Sequence, residues 1–247
     1  MPDTGIATRL RAAGLDVREV KGWKTRGRDF AGASPAFHPI GGVNHHTAGQ
    51  PSKANPTPSL GIIIHGRSDL AGPLANFYLG FDRKFYVIAA GVANHAGLPD
   101  GGSIKGMTGN STAYGLEIEH NGISLLPKDM VDLAARGWAA VLRGTGIAPT
   151  QVVQHREWAP SRKNDAAVQF RNGSDPPFPS ANQFRHMIAV ELKELNTVKK
   201  WTVSFKNGKG ERLTGDDAPL TGDPEAWVHQ HPGALQRGYV KFTPKRR

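Results

Sequence analysis

Two hydrophobic rhythms alternate along this chain between residues 76 and 195, and that alternation sets the narrowest limit on what it can fold into. Segment 76–91, NFYLGFDRKFYVIAAG, carries two aromatic and β-branched runs around a polar FDRK turn, the pattern of a hairpin. Segment 113–122, AYGLEIEHNG, reads as a strand. Side chains alternate sides along a strand, so Leu116 and Ile118 share one face and Glu117 and Glu119 the other. Pro127 then opens a helix with the stripe Met130, Leu133, Ala134, Gly137 and Val141. Thr150 to His155 is a short strand. Ser180 to Leu195 is a helix, with Ser180 and Gln183 at capping-box spacing and Phe184, Met187, Ile188, Leu192 and Leu195 as its apolar stripe. Strands interleaved with helices predict an α/β fold: a mixed central β-sheet flanked by helices.

Upstream, Thr4, Ile6, Leu10 and Gly14 have the spacing of a short capped helix with a glycine stop. Residues 22–42 and 49–58 are rich in loop-forming residues, and Ser59 to Arg67 reads as a short helix. The texture changes after residue 197. Residues 198–247 hold ten Lys and Arg against five Asp and Glu, a charge of +5 out of +10 for the whole chain. Within them, WTVSF and GYVKF read as strands among turn-rich sequence. The expected division is therefore a main domain over 1–197 and a small, basic, β-rich C-terminal extension over 198–247. A length of 247 residues suits one sizeable domain with such an appendage. No run approaches the ~20 apolar residues of a membrane span. The first residues, MPDTGIATRLRAAG, lack the apolar core of a secretory signal.

The chain has no cysteine. Disulfide frameworks, thiolate metal sites and cysteine nucleophiles are all excluded, and any metal must be held by His, Asp or Glu. The positive balance fits a polyanionic partner, either nucleic acid or a bacterial wall with its anionic polymers. Charge does not choose between these, but nucleic-acid binding would call for basic residues interleaved with aromatics or for a recognition helix, and neither is evident.

Four segments put ionisable residues at the ends of expected strands: Val43-Asn44-His45-His46-Thr47, Asn94-His95-Ala96-Gly97, Glu117 within GLEIE, and His155 through Asp165. A cysteine-free zinc hydrolase needs three N or O ligands, an open position for water, a general base, and a cation for the developing oxyanion. The four segments together supply each part, although a lone strand histidine is more often structural. His45 and His46 are adjacent on a strand and point to opposite faces, so only one of them can reach a shared metal.

In order and content these motifs resemble the peptidoglycan amidase family, which includes phage endolysins, cell-wall recycling amidases and peptidoglycan recognition proteins. The resemblance spans roughly residues 20–195. It implies a zinc ion (Zn2+) held by His45, His155 and Asp165, with Lys163 two residues before the last ligand. It also implies Glu117 as the catalytic carboxylate, Lys163 as the oxyanion-stabilising cation, and His95 with Asn94 on the substrate-binding rim, His95 being a weaker second candidate for the oxyanion. Many relatives place a tyrosine immediately before an N-F or H-F dipeptide, whereas here Ala75 precedes Asn76-Phe77, which puts more weight on Glu117. The implied reaction is hydrolysis of the amide between N-acetylmuramic acid and L-alanine in bacterial peptidoglycan. HHTAG and SRKNDAA resemble phage lytic enzymes in particular. That implies a monomer made in the host cytoplasm that reaches the wall after holin-mediated release, with the basic tail on anionic wall polymers. A non-catalytic muropeptide-binding protein is the alternative. Relatives of that kind have typically lost a zinc ligand, and this chain keeps all three.

Overall fold

The computed structural model describes residues 2–32, 34–124, 126–166 and 179–197 in full, and the backbone of 200–206, 219–221 and 239–244. Most of the basic tail, including His229 and His231, lies outside the described residues. The chain separates into two compact units, Met1–Leu192 and Lys193–Arg247.

In the first unit, α1 (Ile6–Ala12) leads to β1 (Val17–Glu19) and β2 (Gly41–His46). After α2 (Leu60–His65) come the two-residue strands β3 (Gly66–Arg67) and β4 (Leu70–Ala71), and then the hairpin of β5 (Phe77–Leu79) and β6 (Phe85–Val87). The strand β7 (Ala113–Ile118), the helix α3 (Lys128–Leu142), β8 (Val152–Gln154), α4 (His155–Trp158) and α5 (Ala181–Asn196) complete the order. Six strands form one sheet in the order β1-β6-β5-β7-β2-β8. Only the β5–β6 hairpin is antiparallel; every other pairing is parallel. This is the mixed sheet flanked by helices that the alternating pattern predicts.

One sheet face packs on α3. Gly42 lies so close to Trp138 that a Cβ there would meet the ring at 2.3 Å. The Trp138 indole N–H donates to Asn44 Oδ1 at 2.9 Å, and Asn44 Nδ2 donates to Gln154 Oε1 at 3.0 Å. Phe77 meets Trp138 edge-on with ring centroids 5.1 Å apart. Even-numbered residues of β2 thus face α3, and strand alternation turns His45 to the other side. The register aligns His45 with Glu117 and Glu117 with Tyr78, so these three form one row across β2, β7 and β5. Helix α3 is buried well beyond its expected stripe: Val131, Ala135, Trp138, Ala139 and Ala140 are also covered. Arg136 explains part of this, donating to Ala13 O at 2.8 Å and to Glu191 at 2.7 Å, which ties α3 to α1 and α5.

Some local expectations change. Thr4 does not cap α1; Gly5 precedes it, and Asp3 accepts the Gly5 N–H at 3.0 Å. Strand β1 is too short for alternation to reveal it. His155 opens α4 instead of ending a strand. The capping box of α5 is present, with Ser180 N–H donating to Gln183 Oε1 at 2.8 Å and Gln183 N–H to Ser180 Oγ at 3.3 Å. Of its stripe, Phe184 and Ile188 are buried.

In the second unit β9 (Lys200–Lys206), β10 (Pro219–Thr221) and β11 (Tyr239–Pro244) form a separate antiparallel sheet in the order β10-β9-β11. WTVSF and GYVKF pair with each other across β9 and β11, from Trp201 opposite Pro244 to Lys206 opposite Tyr239.

Candidate metal centre

His45, near the end of β2, and His155, at the start of α4, are both buried, and Asp165 is half-buried beside them. His45 Nδ1 lies 2.9 Å from His155 Nδ1 and 3.3 Å from Asp165 Oδ2, and His155 Nδ1 lies 2.9 Å from the same Oδ2. Local structure explains how residues 110 and 120 positions apart meet. Strand β8 pairs with β2 and delivers the chain to His155 at the same sheet end. There Glu157 accepts the Gln154 N–H at 2.8 Å and caps α4. Arg185 of α5 grips Glu157 through both carboxylate oxygens, at 3.0 and 3.1 Å. The Asp165 carbonyl in turn accepts the Arg156 N–H at 2.5 Å.

Three lone-pair-bearing atoms therefore crowd one point. Two facing ring nitrogens can share at most one proton, and a carboxylate contributes none when ionised. Burial pushes His45 down to about 4, with the adjacent His155 adding to the effect against Asp165. Burial alone would raise Asp165, but the closely placed imidazoles of His155 and His45 hold it far below the ordinary carboxylate range. Among the described residues these three are the one group of His and acidic side chains able to hold a metal ion. Neutral imidazoles with an ionised carboxylate are a donor set that suits zinc, and the residues fit it.

His46 turns away, as alternation requires: its ring lies 6.0 Å from that of His120, and its Nδ1 is buried without a partner among the described residues. None of His38, His65, His120 and His186 joins the cluster. His95 stands behind His45 in the wall of the site. His45 Nε2 is 3.1 Å from His95 Nδ1, and His95 Nε2 is 3.1 Å from the Ala113 carbonyl. Both its nitrogens have partners inside the protein, while the ring stays partly exposed. Asn94, expected on the same rim, is held as well. It is buried, accepts from Arg28 at 3.0 Å and donates to Ala71 O at 2.7 Å, so it clamps loops together.

Glu117, next to His45 in the ladder, has a buried Oε2 with no hydrogen-bond partner among the described residues. Burial, then the charges of Asp165 and Glu119, raise it well above the ordinary range, opposed by Lys163. Lys163 is exposed, yet its charge is felt by both His45 and Glu117. Glu119 is different. Fully buried, it accepts from Thr47 Oγ1 at 2.5 Å, Ser59 N at 2.9 Å, Ser59 Oγ at 3.0 Å and Tyr78 OH at 2.5 Å. Tyr78 is thereby held away from chemistry, and Ala75, the position where relatives carry tyrosine, is buried.

Sequence reasoning missed two supports. The Ala113 carbonyl behind His95 leaves no trace in residue identity. Arg162 bonds the carbonyls of Ala96 and Leu98 while pairing with Asp100, and Asp100 accepts the Ser161 N–H at 2.8 Å. These contacts fasten the rim after His95 to the loop before Asp165.

A family model described as N-acetylmuramoyl-L-alanine amidase matches residues 38–167. Among solved structures, a mutant endolysin from Bacillus subtilis is 17% identical, with 70% of this chain and 99% of that one covered at a TM-score of 0.45. An endolysin N-acetylmuramoyl-L-alanine amidase from Clostridium intestinale is 20% identical, with 71% and 94% covered at 0.40. Staphylococcus aureus hydrolase AmiA in complex with its ligand is 13% identical, with 78% and 93% covered at 0.48. No curated protein sequence matches the chain.

Proposed function

Because this chain belongs to the N-acetylmuramoyl-L-alanine amidase family, we propose that it hydrolyses the amide between N-acetylmuramic acid and the L-alanine of the stem peptide, using zinc held by His45, His155 and Asp165. The observation that carries the reading is the convergence of His45 Nδ1, His155 Nδ1 and Asp165 Oδ2 on one point, 2.9 to 3.3 Å apart, with too few protons to satisfy one another. Zinc bound there would polarise the scissile carbonyl and bring water toward ionisation near neutral pH.

Glu117 is the proton carrier. Its environment raises its proton affinity, which suits it to take a proton from the attacking water and carry it to the leaving alanine amine, a stronger base than the carboxylate. An amine leaves poorly without that proton. Lys163, exposed at the mouth, puts its charge where the tetrahedral oxygen develops.

The resemblance of HHTAG and SRKNDAA to phage lytic enzymes supports the finer reading of an endolysin that reaches the wall through a holin-made opening. The +5 charge of residues 198–247 supports a wall-attaching role for that extension beside a catalytic domain over 1–197. The test is a digest of defined peptidoglycan with the zinc-loaded full chain, read by mass spectrometry alongside metal analysis. Free stem peptides with an N-terminal L-alanine are expected, with one zinc per chain. Intact muropeptides recovered bound to zinc-loaded protein would favour the non-catalytic binder, and products cut at another bond would overturn the amidase assignment.

A further inference from the structure

We infer that His95 is a positioning residue that fixes the tautomer and aim of His45, holding its Nδ1 lone pair toward the ligand cluster. This rests on the zinc reading of that cluster and adds a role to a side chain that the reading does not use. A backbone carbonyl can only accept, so the 3.1 Å contact between Ala113 O and His95 Nε2 requires the proton on that nitrogen. A neutral imidazole protonated at Nε2 offers a lone pair at Nδ1. His45 Nε2, 3.1 Å away, must then be the donor in the contact between the two rings. With its proton committed there, His45 has a bare Nδ1, and that atom points at His155 and Asp165. Partners of this kind, on the far nitrogen of a ligating histidine, set which nitrogen meets the metal.

A second feature fixes the ring itself. Gly115, on β7 beside β2, gives His95 its berth: a Cβ there would stand 2.6 Å from His95 Cγ and 2.8 Å from Cδ2. The His45 and His95 rings meet edge to face at 5.2 Å, so the seat for His95 also limits how His45 turns. His155 has no such backing among the described residues, since its Nε2 is buried without a partner. The relay thus belongs to His45 and makes that side chain the preset member of the trio.

The test compares His95→Asn with His95→Leu in the full chain. Asn places its Oδ1 close to the position of the ring Nδ1 and keeps the acceptor; Leu keeps apolar bulk and loses it. Zinc is stripped and its affinity measured by competition with a chromophoric chelator, with folding followed by circular dichroism. Wild type should bind one zinc, and His45→Ala should lose it; failure of either would overturn the zinc reading itself. Given that binding, His95→Leu should weaken zinc affinity by about 10- to 100-fold, the scale for removing such a partner, while His95→Asn keeps most of it. A packing role predicts the reverse order, and that order, or unchanged affinity in His95→Leu, would overturn the inference. Nitrogen-15 spectra of the metal-free protein give an independent reading. His45 should be the Nε2–H tautomer in wild type and should lose that preference in His95→Leu; an Nδ1–H tautomer in wild type would also overturn it.

Discussion

Two carboxylates stand two residues apart on the same face of the sheet, and the protein treats them in opposite ways. Glu119 is fully buried and accepts four hydrogen bonds from Thr47, Ser59 and Tyr78. Glu117 has a buried oxygen that accepts none among the described residues, and it lies beside the charge of Asp165. Buried polar groups are nearly always paired, so a satisfied carboxylate reads as part of the framework and an unsatisfied one as held ready. Glu119 pins the 47–59 loop to the sheet. Glu117 is left with a proton affinity that suits transfer chemistry.

The same substitution at the two positions should therefore have opposite consequences. Glu117→Gln should lower turnover by roughly two to four powers of ten while zinc content stays at wild type, because it removes the proton carrier and no ligand. In the metal-free protein it should also remove a pH-dependent cost. The folded-state pKa of Glu117 is raised, so the wild type loses stability as pH climbs from the unfolded value of about 4.3 toward the folded one, and the Gln variant does not. Melting curves at pH 4 and pH 7 should converge at the lower pH and favour Gln at the higher. Near-normal turnover in this variant would erase the distinction between the two carboxylates.

Glu119→Gln should cost about 2–3 kcal/mol of stability, since charge-assisted bonds become neutral ones and donors meet an amide. Activity per folded molecule should stay near wild type at low temperature. Denaturant unfolding together with turnover at low temperature measures both. A stable but inactive variant would move Glu119 into the chemistry.

The smallest effect is expected at Lys163, whose charge acts on Glu117. Lys163→Ala should reduce turnover about 10- to 100-fold through lost oxyanion stabilisation. It should also move the acid limb of the pH–rate profile upward, because the cation that lowers Glu117 is gone. Unfolding should be unchanged for so exposed a side chain. An unmoved limb would separate Lys163 from Glu117.

Most of the sheet was legible because its strands carry period-two or continuously apolar patterns and its hairpin a clear turn. Strand alternation alone said that His45 and His46 diverge. The 3-residue β1 (VRE) and β10 (PLT) were not legible, because neither carries the apolar run that marks the equally short β5 and β6. At the site, the resemblance to the amidase family pointed to the ligand trio, but the partners of Asn94 and His95 depend on tertiary approach. Arg28 is 66 residues from Asn94, and His95 is held by a backbone atom. No residue pattern encodes a carbonyl's position, so the internal contacts of these two side chains lay beyond the reach of the sequence.

The grip of Arg185 on Glu157 bears on how far this enzyme can be trimmed. Residues 38–167, the stretch that carries the family's match, contain every proposed ligand and the proton carrier. They contain neither Arg185, which steadies the cap just before His155, nor Ala13 and Glu191, which hold Arg136 on α3. A minimal version cut to that stretch would keep the chemistry and lose its scaffolding at both ends. Shortened variants should therefore retain α1 and α5, and freedom to redesign begins outside them.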